Sequence, residues 1–265
     1  MIELTDAGDH RFDDYRSLND QAFRRRYEGA DIFVVEGYVA IDRLIESGHR
    51  IRSVLLAPSR VERFTHGELL DARGVPVYVA DRDVIGTAVG FDLHRGVVAC
   101  AERRPAPTVA ELTSASRRLG VLEGLNDNEN LGAIARAARA FGIDGLLLDP
   151  TCTDPYSRRT VRVSMGEVLA LPVVRVGGGE WPSVITDVAA AGFDVWAMTP
   201  ADDADDLWTL DVPDRVAVLL GAEGPGLSRS ALAAASRQVR IPISADVDSL
   251  NVGHAAAVTF AALSR

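Results

Sequence analysis

The sequence predicts an α/β protein of two units: a small leading α/β domain and a larger domain built on a mostly parallel sheet. Three observations carry that prediction. Nearly continuous apolar runs such as DGLLLD, LPVVRV and RVAVLLG alternate with stretches whose apolar residues recur at helical spacing. A basic, proline-bearing break, Arg103-Arg104-Pro105-Ala106-Pro107-Thr108, can continue neither strand nor helix and marks a linker. The 265 residues, 47% apolar and 25% charged, suffice for two hydrophobic cores and exclude a disordered chain.

In chain order, the first unit (residues 1–104) becomes regular from about Asp13. FVVEGYVAIDRLIES reads as a strand, a glycine break and an amphipathic helix with Val39, Leu44 and Ile45 turned inward. IRSVLLA is a second strand, ended by Pro58. VPVYVA, a helical DRDVIGTAV and RGVVACAE complete an alternating module. The second unit (residues 105–265) alternates more evenly. Its strands are RLGVLEGL, DGLLLD, LPVVRV, FDVWAM, RVAVLLG and QVRIPI, and its clearest helices are LGAIARAARAFG and VGHAAAVTFAALSR. Ligands of such sheets bind at the carboxyl ends of the strands, so the chemistry is expected in the loops that follow them.

Composition narrows the function. The longest apolar stretch, near Ala255 to Leu263, is too short to span a membrane, and the polar, acidic start lacks a signal-peptide pattern, so a cytoplasmic protein is expected. Cys100 and Cys152 stand apart from any ligand-spaced partner, which argues against a disulfide framework or a metal site. The net charge of −10 argues against tight, non-specific binding to a polyanion. All 28 basic residues are arginine, however, and they cluster: Arg24, Arg25 and Arg26; Arg103 and Arg104; Arg158, Arg159 and Arg162. Arginine suits forked phosphate contacts and base stacking, so these clusters are expected to share one basic face across both domains, with the Asp202–Asp206 run turned away. Each cluster alone also reads as ordinary solvated surface.

Three loops carry the chemical signal. Asn126-Asp127-Asn128-Glu129-Asn130 follows a strand and opens a helix that carries Arg136 about two turns in. Helix capping accounts for one such residue, not for three asparagines. Arg136 reads either as part of an exposed helical stripe with Arg139, or as a guanidinium at a strand-end cleft suited to phosphate. The second loop, Gly221-Ala222-Glu223-Gly224-Pro225-Gly226-Leu227-Ser228, brings backbone close to a flat ligand around one carboxylate. Its late position disfavours a dinucleotide-binding fingerprint and hence a nicotinamide oxidoreductase. The third runs from Ile241-Pro242-Ile243 to Ser249-Leu250-Asn251-Val252-Gly253 and enters an alanine-rich helix, against which something must pack closely.

Together and in this order, ENLGAIARAARAFG, LLGAEGPGLS and IPISADVDSLNVGHAAA resemble the three signature motifs of the SpoU/TrmH family of RNA ribose 2′-O-methyltransferases, in the SPOUT superfamily. The leading unit is similar to the ribosomal-protein-like substrate-binding domain that often precedes them. The resemblance implies a SPOUT domain with a deep trefoil knot, an exception to the usual untangled topology. It also implies a homodimer, RNA as partner (ribosomal before transfer RNA) and S-adenosylmethionine as methyl donor, with no metal. Carried over by position, Asn130, Arg136, Glu223, Ser249 and Asn251 are the catalytic candidates. Leu220, Gly221, Gly226, Ile241, Ile243 and Leu250 fall where the family cradles the cofactor. Arg24, Arg25, Arg26, Arg104, Arg158 and Arg162 are the candidates for RNA contact. Arg136 is then expected to act on the ribose hydroxyl with help from an RNA phosphate, because arginine itself is a poor base. Gly253 departs from the family's frequent SLNVS, which implies an altered helix-start contact with activity retained. A rival reading, an RNA-binding or ribosome-assembly protein that has lost catalysis, would require a broken motif, and all five catalytic candidates are present.

Overall fold

The computed structural model describes residues 1–29, 31–93, 96–244 and 246–264; the side chains of Gln21 and Arg25 are also outside the described set, so the expectation for Arg25 falls outside it. The first part of the chain runs through β1 (Ile2–Leu4), α1 (Gln21–Glu28), β2 (Ile32–Glu36), α2 (Tyr38–Glu46), β3 (Ile51–Leu56), α3 (Gly67–Ala72), β4 (Val77–Ala80), α4 (Arg82–Val89) and β5 (Val97–Glu102). It continues through α5 (Val109–Ala115), β6 (Arg118–Leu122), α6 (Asn128–Ala140), β7 (Gly145–Leu148), α7 (Arg158–Val163) and β8 (Val173–Arg175). The remainder is α8 (Ser183–Ala190), β9 (Asp194–Met198), β10 (Asp205–Asp206), β11 (Val216–Leu220), α9 (Arg229–Ala234), β12 (Arg237–Arg240) and α10 (Val252–Leu263).

The chain divides into two compact units, Met1–Pro105 with Tyr156–Ala170, and Ala106–Pro155 with Leu171–Arg265. Residues 156–170, expected in the second domain, thus group with the first: a sequence boundary marks where the chain leaves a unit, not where it returns. In the first unit the strand order is β1-β4-β3-β5-β2, with β1, β4 and β3 parallel and β5 antiparallel to both its neighbours. β1 lies in the polar start that the hydropathy pattern passes over; it is an edge strand with only Leu4 buried. In α2 the inward face is Ala40, Ile41 and Leu44, whereas Val39 is 47% exposed and Ile45 half-buried. Placing Val39 inward was an error of one position, because Gly37 caps α2 and residues 40, 41 and 44 are its i, i+1, i+4 stripe.

The second unit has a seven-stranded sheet ordered β10-β12-β9-β11-β6-β7-β8, every pair parallel. The central strands β6, β7 and β11 are buried almost throughout, as continuous apolar runs require. β10 falls inside the acidic run that reads as solvated surface: Asp205 and Asp206 pair with the edge of β12, and Arg237 lies 3.6 Å from the Asp205 carboxylate. α10 buries Val252, Ala256, Thr259 and Phe260. A Cβ built on Gly253 would sit 3.2 Å from the Cβ of Ala133, so α10 and α6 approach closely, as its alanine-rich composition requires. Fully buried Phe260 contributes roughly 1.5–3 kcal/mol by leaving water. No helix among the described residues is long and apolar enough to cross a membrane.

Candidate active site

β6, β11 and β12 are parallel members of one sheet, so their carboxyl ends deliver all three loops to the same edge. The first loop ends at Asp127, which caps α6 by accepting from the amide of Glu129 at 2.6 Å. With the capping done there, Asn130 is free for another use: it is buried, and its Oδ1 accepts from Asn251 Nδ2 at 2.9 Å. Asn251 Nδ2 also donates to Glu223 Oε1 at 2.6 Å. The other end of the same amide caps α10, Oδ1 accepting from the amides of Gly253 at 2.9 Å and His254 at 3.3 Å. One residue from each loop therefore meets at a single side chain.

Beside this junction lies a cavity of about 180 Å³. Leu220, Gly221, Gly226, Ile241, Ile243, Leu250, Glu223 and Ser249 all line it, as do Ala222, Gly224 and residues 198–200 at the end of β9. Gly221 is obligatory: a Cβ there would lie 2.3 Å from the carbonyl carbon of Gly226 and 2.4 Å from the amide nitrogen of Leu227. Gly224 and Gly226 have φ of 87° and 68°, in the left-handed region that favours glycine. Glu223 is the single charged side chain in the lining. A largely apolar wall, close backbone and one carboxylate suit a flat heterocycle attached to a positively charged centre. The residues present thus fit S-adenosylmethionine. Arg136 is outside the lining, exposed on α6, and makes no hydrogen bond or ion pair among the described residues.

Sequence reasoning overlooked Glu123. This buried carboxylate at the end of β6 accepts from Trp181 Nε1 at 2.8 Å and from Ser228 Oγ and N at 2.7 Å each. It pins the far end of the glycine loop. The available signal was a lone charge within the apolar run VLEGL. Met198, Thr199 and Pro200 were also overlooked; their signal was their position at the carboxyl end of a strand. No group of acidic, histidine or cysteine residues suited to a metal occurs among the described residues.

The arginine clusters belong to the first unit, including Arg158 and Arg162. Two of the expected RNA contacts are drawn inward instead. Arg24 is 6% exposed and ion-paired to Glu28 at 2.7 Å, and Arg158 lies 3.5 Å from the buried Glu36 and stacks 4.9 Å from the Phe91 ring centroid. Burial, with Arg162 and Arg24 nearby, holds Arg158 below the usual guanidinium range. Arg26, Arg104 and Arg162 are exposed.

A parallel α/β unit with loops converging on a strand-end cavity belongs to the doubly covered sheets that bind their ligands at that edge. The profile of the SpoU rRNA Methylase family matches residues 119–261, and that of the RNA 2′-O ribose methyltransferase substrate binding family matches residues 34–107. The chain belongs to the SpoU rRNA methylase family and is an RNA methyltransferase of the SpoU/TrmH type. It is 38% identical over 264 residues to a Mycobacterium tuberculosis protein named as an uncharacterized tRNA/rRNA methyltransferase, covering 97% of this chain and 90% of that one. A 23S rRNA (guanosine-2′-O-)-methyltransferase of Ralstonia nicotianae is 31% identical, over 71% of this chain and 76% of its own. Among solved structures, an AdoMet-bound rRNA methyltransferase from Sinorhizobium meliloti superposes with a TM-score of 0.82 at 29% identity, covering 98% of this chain and 96% of that one. The SpoU methyltransferase AviRb of Streptomyces viridochromogenes, in complex with AdoMet, gives 0.79 at 27% identity, covering 97% and 98%.

Proposed function

We propose that this protein methylates a ribose 2′-hydroxyl of RNA, ribosomal before transfer RNA, using S-adenosylmethionine in the cytoplasm. The reading is supported above all by Asn251, whose one amide joins Asn130 and Glu223 beside the cavity. The relative named as a guanosine-2′-O-methyltransferase and the AdoMet-bound neighbours support the same choice of atom and donor. Residues 1–104 then serve RNA binding and residues 105–265 catalysis, with 156–170 lending structure to the former. Ile243, Val247 and Leu250, exposed at 37%, 49% and 37%, support a homodimer formed beside the cavity. A knotted path belongs to this reading, and the packing of α10 against α6 accords with it.

When bound, S-adenosylmethionine supplies an electrophilic methyl group. The chain's own residues hold and align. Gly221, Gly224 and Gly226 bring backbone against the ligand, and Glu223 offers a negative charge to a cationic centre. Asn251 fixes the Glu223 carboxylate, and Asn130 fixes Asn251. Arg136, a permanent donor, grips an RNA phosphate so that a phosphate oxygen accepts the proton leaving the 2′-hydroxyl. Alignment of two bound reactants supplies much of the acceleration.

The test is methyl transfer from tritiated S-adenosylmethionine to protein-free ribosomal and transfer RNA from cells lacking the gene, followed by nucleoside mass spectrometry. Label in ribosomal RNA as a 2′-O-methylnucleoside is expected. Label on a base, or none in either RNA, overturns the reading.

A further inference from the structure

We propose that a second cavity, wholly within the first unit, is a binding site for a backbone phosphate of the RNA, built from Arg63, Arg162 and the start of α2. The proposal rests on the RNA methyltransferase reading and adds to it where the chain holds RNA away from the reacting ribose. The cavity measures about 320 Å³ and is lined by residues 37–40 with Arg60, Arg63, Arg162 and Met165. Arg63 and Arg162 thus line one hollow that has no carboxylate in its lining, in a chain whose formal charge is −10. Elsewhere in this unit arginines are neutralised locally: Arg11 by Asp9, Arg16 by Asp13, Arg52 by Asp14 and Arg82 by Asp92. Arg63 and Arg162 have no ion pair among the described residues, and both are exposed. Two such guanidinium groups at one hollow repel each other unless an anion completes the site.

The backbone adds to the positive field. Gly37, with φ of 94°, caps α2 without any side-chain hydrogen bond, so the first-turn amides of this nine-residue helix have no side-chain partner, and their residues line the hollow. Such a turn favours an anion. Tyr38 prepares the guanidinium: its hydroxyl donates to the Arg60 carbonyl at 3.0 Å, and the Arg63 guanidinium carbon lies 4.9 Å from the ring centroid. Stacking orders the planar fork while leaving its N–H edges for a phosphate. Arg162 is held near by tight packing: a Cβ on Gly166 would lie 2.9 Å from Ala40 Cα, and Arg43 Nε reaches Glu167 at 3.1 Å. No polar group suited to reading a base edge lines the cavity apart from these donors, so the contact serves RNA backbone and shape.

The test compares the wild type with R63Q/R162Q in binding a fluorescein-labelled RNA stem–loop by anisotropy across a salt series. R117Q/R229Q, which removes the same charge from the second unit, is the control, and S-adenosylmethionine binding by calorimetry and thermal melting report the fold. The expected result is a loss of RNA affinity of about tenfold or more for R63Q/R162Q. The log–log salt slope should shrink by roughly 0.7–0.9, the value for one lost phosphate contact, with cofactor affinity and melting unchanged. Equal affinity and slope, or an equal loss in R117Q/R229Q, overturns the site while the methyltransferase reading stands. Absence of cofactor binding and of methyl transfer in the wild type sinks that reading instead. A titration with 5′-AMP separates sources of phosphate: saturable AMP binding lost in R63Q/R162Q, with RNA affinity intact, would assign the cavity to a free nucleotide and overturn the proposal.

Discussion

Asn251 Nδ2 stands 2.9 Å from Asn130 Oδ1 and 2.6 Å from Glu223 Oε1, while the Oδ1 of the same side chain caps α10. The two ends of one amide therefore carry separable roles, and substitution can split them. Asn251→Asp keeps an acceptor for the cap but puts a second carboxylate against Glu223; it should melt near the wild-type temperature and lose methyl transfer by about a hundredfold or more. Asn251→Ala should lose both, with stability down by about 1 kcal/mol from the missing cap. Paired melting and turnover assays check this; an active Asn251→Asp enzyme would contradict the bridging role.

Arg136 is exposed and unpaired among the described residues, so its removal touches no packing. Arg136→Ala should change stability by no more than about 0.5 kcal/mol and leave S-adenosylmethionine affinity within about twofold. Methyl transfer should nevertheless fall below detection. Full activity of this variant on its RNA would remove Arg136 from the mechanism.

The backbone at Gly221 leaves no room for a side chain, since an added Cβ falls 2.3–2.5 Å from backbone atoms of Gly226 and Leu227. Gly221→Ala must open the loop where Ala222 and Gly226 pair. A stability loss of about 1–3 kcal/mol is expected, with cofactor affinity reduced by more than about tenfold in calorimetry. Gly253→Ser is the milder counterpart. Its Cβ meets Ala133 and Asn251 at 3.2 Å, contacts that small shifts relieve, so activity should survive.

Legibility in the sequence followed physical locality. The strands β6, β7, β9 and β11 of the second unit were readable because each is a largely apolar run, whereas β1 and β10 are edge strands of three and two residues with little burial. The loop residues were readable because glycine, asparagine and a lone glutamate are informative types after a strand. The fate of Arg24 and Arg158 was not readable, since their partners Glu28 and Glu36 are ordinary in sequence and only the fold makes the pairs internal. The same holds for the grouping of residues 156–170 with the first unit, which depends on packing and not on composition.

The two cysteines are buried and chemically quiet. Burial pushes the Cys100 thiol far above its ordinary range, and burial with the nearby Asp149 carboxylate pushes Cys152 up to about 12. At pH 8 neither should be a thiolate in the folded state. Both should therefore resist a disulfide reagent until the chain unfolds, when they return to ordinary thiol reactivity. Rapid native labelling of Cys152 would contradict its burial at the carboxyl ends of β6 and β7, where it meets Leu122 and Asp149.

Glu123 holds the Ser228 end of the glycine loop, and a positioning role toward the cofactor is distinguishable by experiment from a purely structural one. Its carboxylate receives the Ser228 amide and hydroxyl and the Trp181 indole, so Glu123→Ala removes three part-buried hydrogen bonds and should cost about 1–3 kcal/mol of stability. Stability loss alone would fit any buried acceptor. If Glu123 also sets the glycine loop, the dissociation constant for S-adenosylmethionine should rise about tenfold at a temperature where the variant is fully folded, with turnover at saturating cofactor changed less. Glu123→Gln retains one oxygen acceptor and should recover part of that affinity. Ser228→Ala keeps the amide contact and should lie between Glu123→Ala and the wild type. Calorimetry on the three variants decides the matter: cofactor affinity equal to wild type in Glu123→Ala would reduce this residue to a brace between β6 and Trp181.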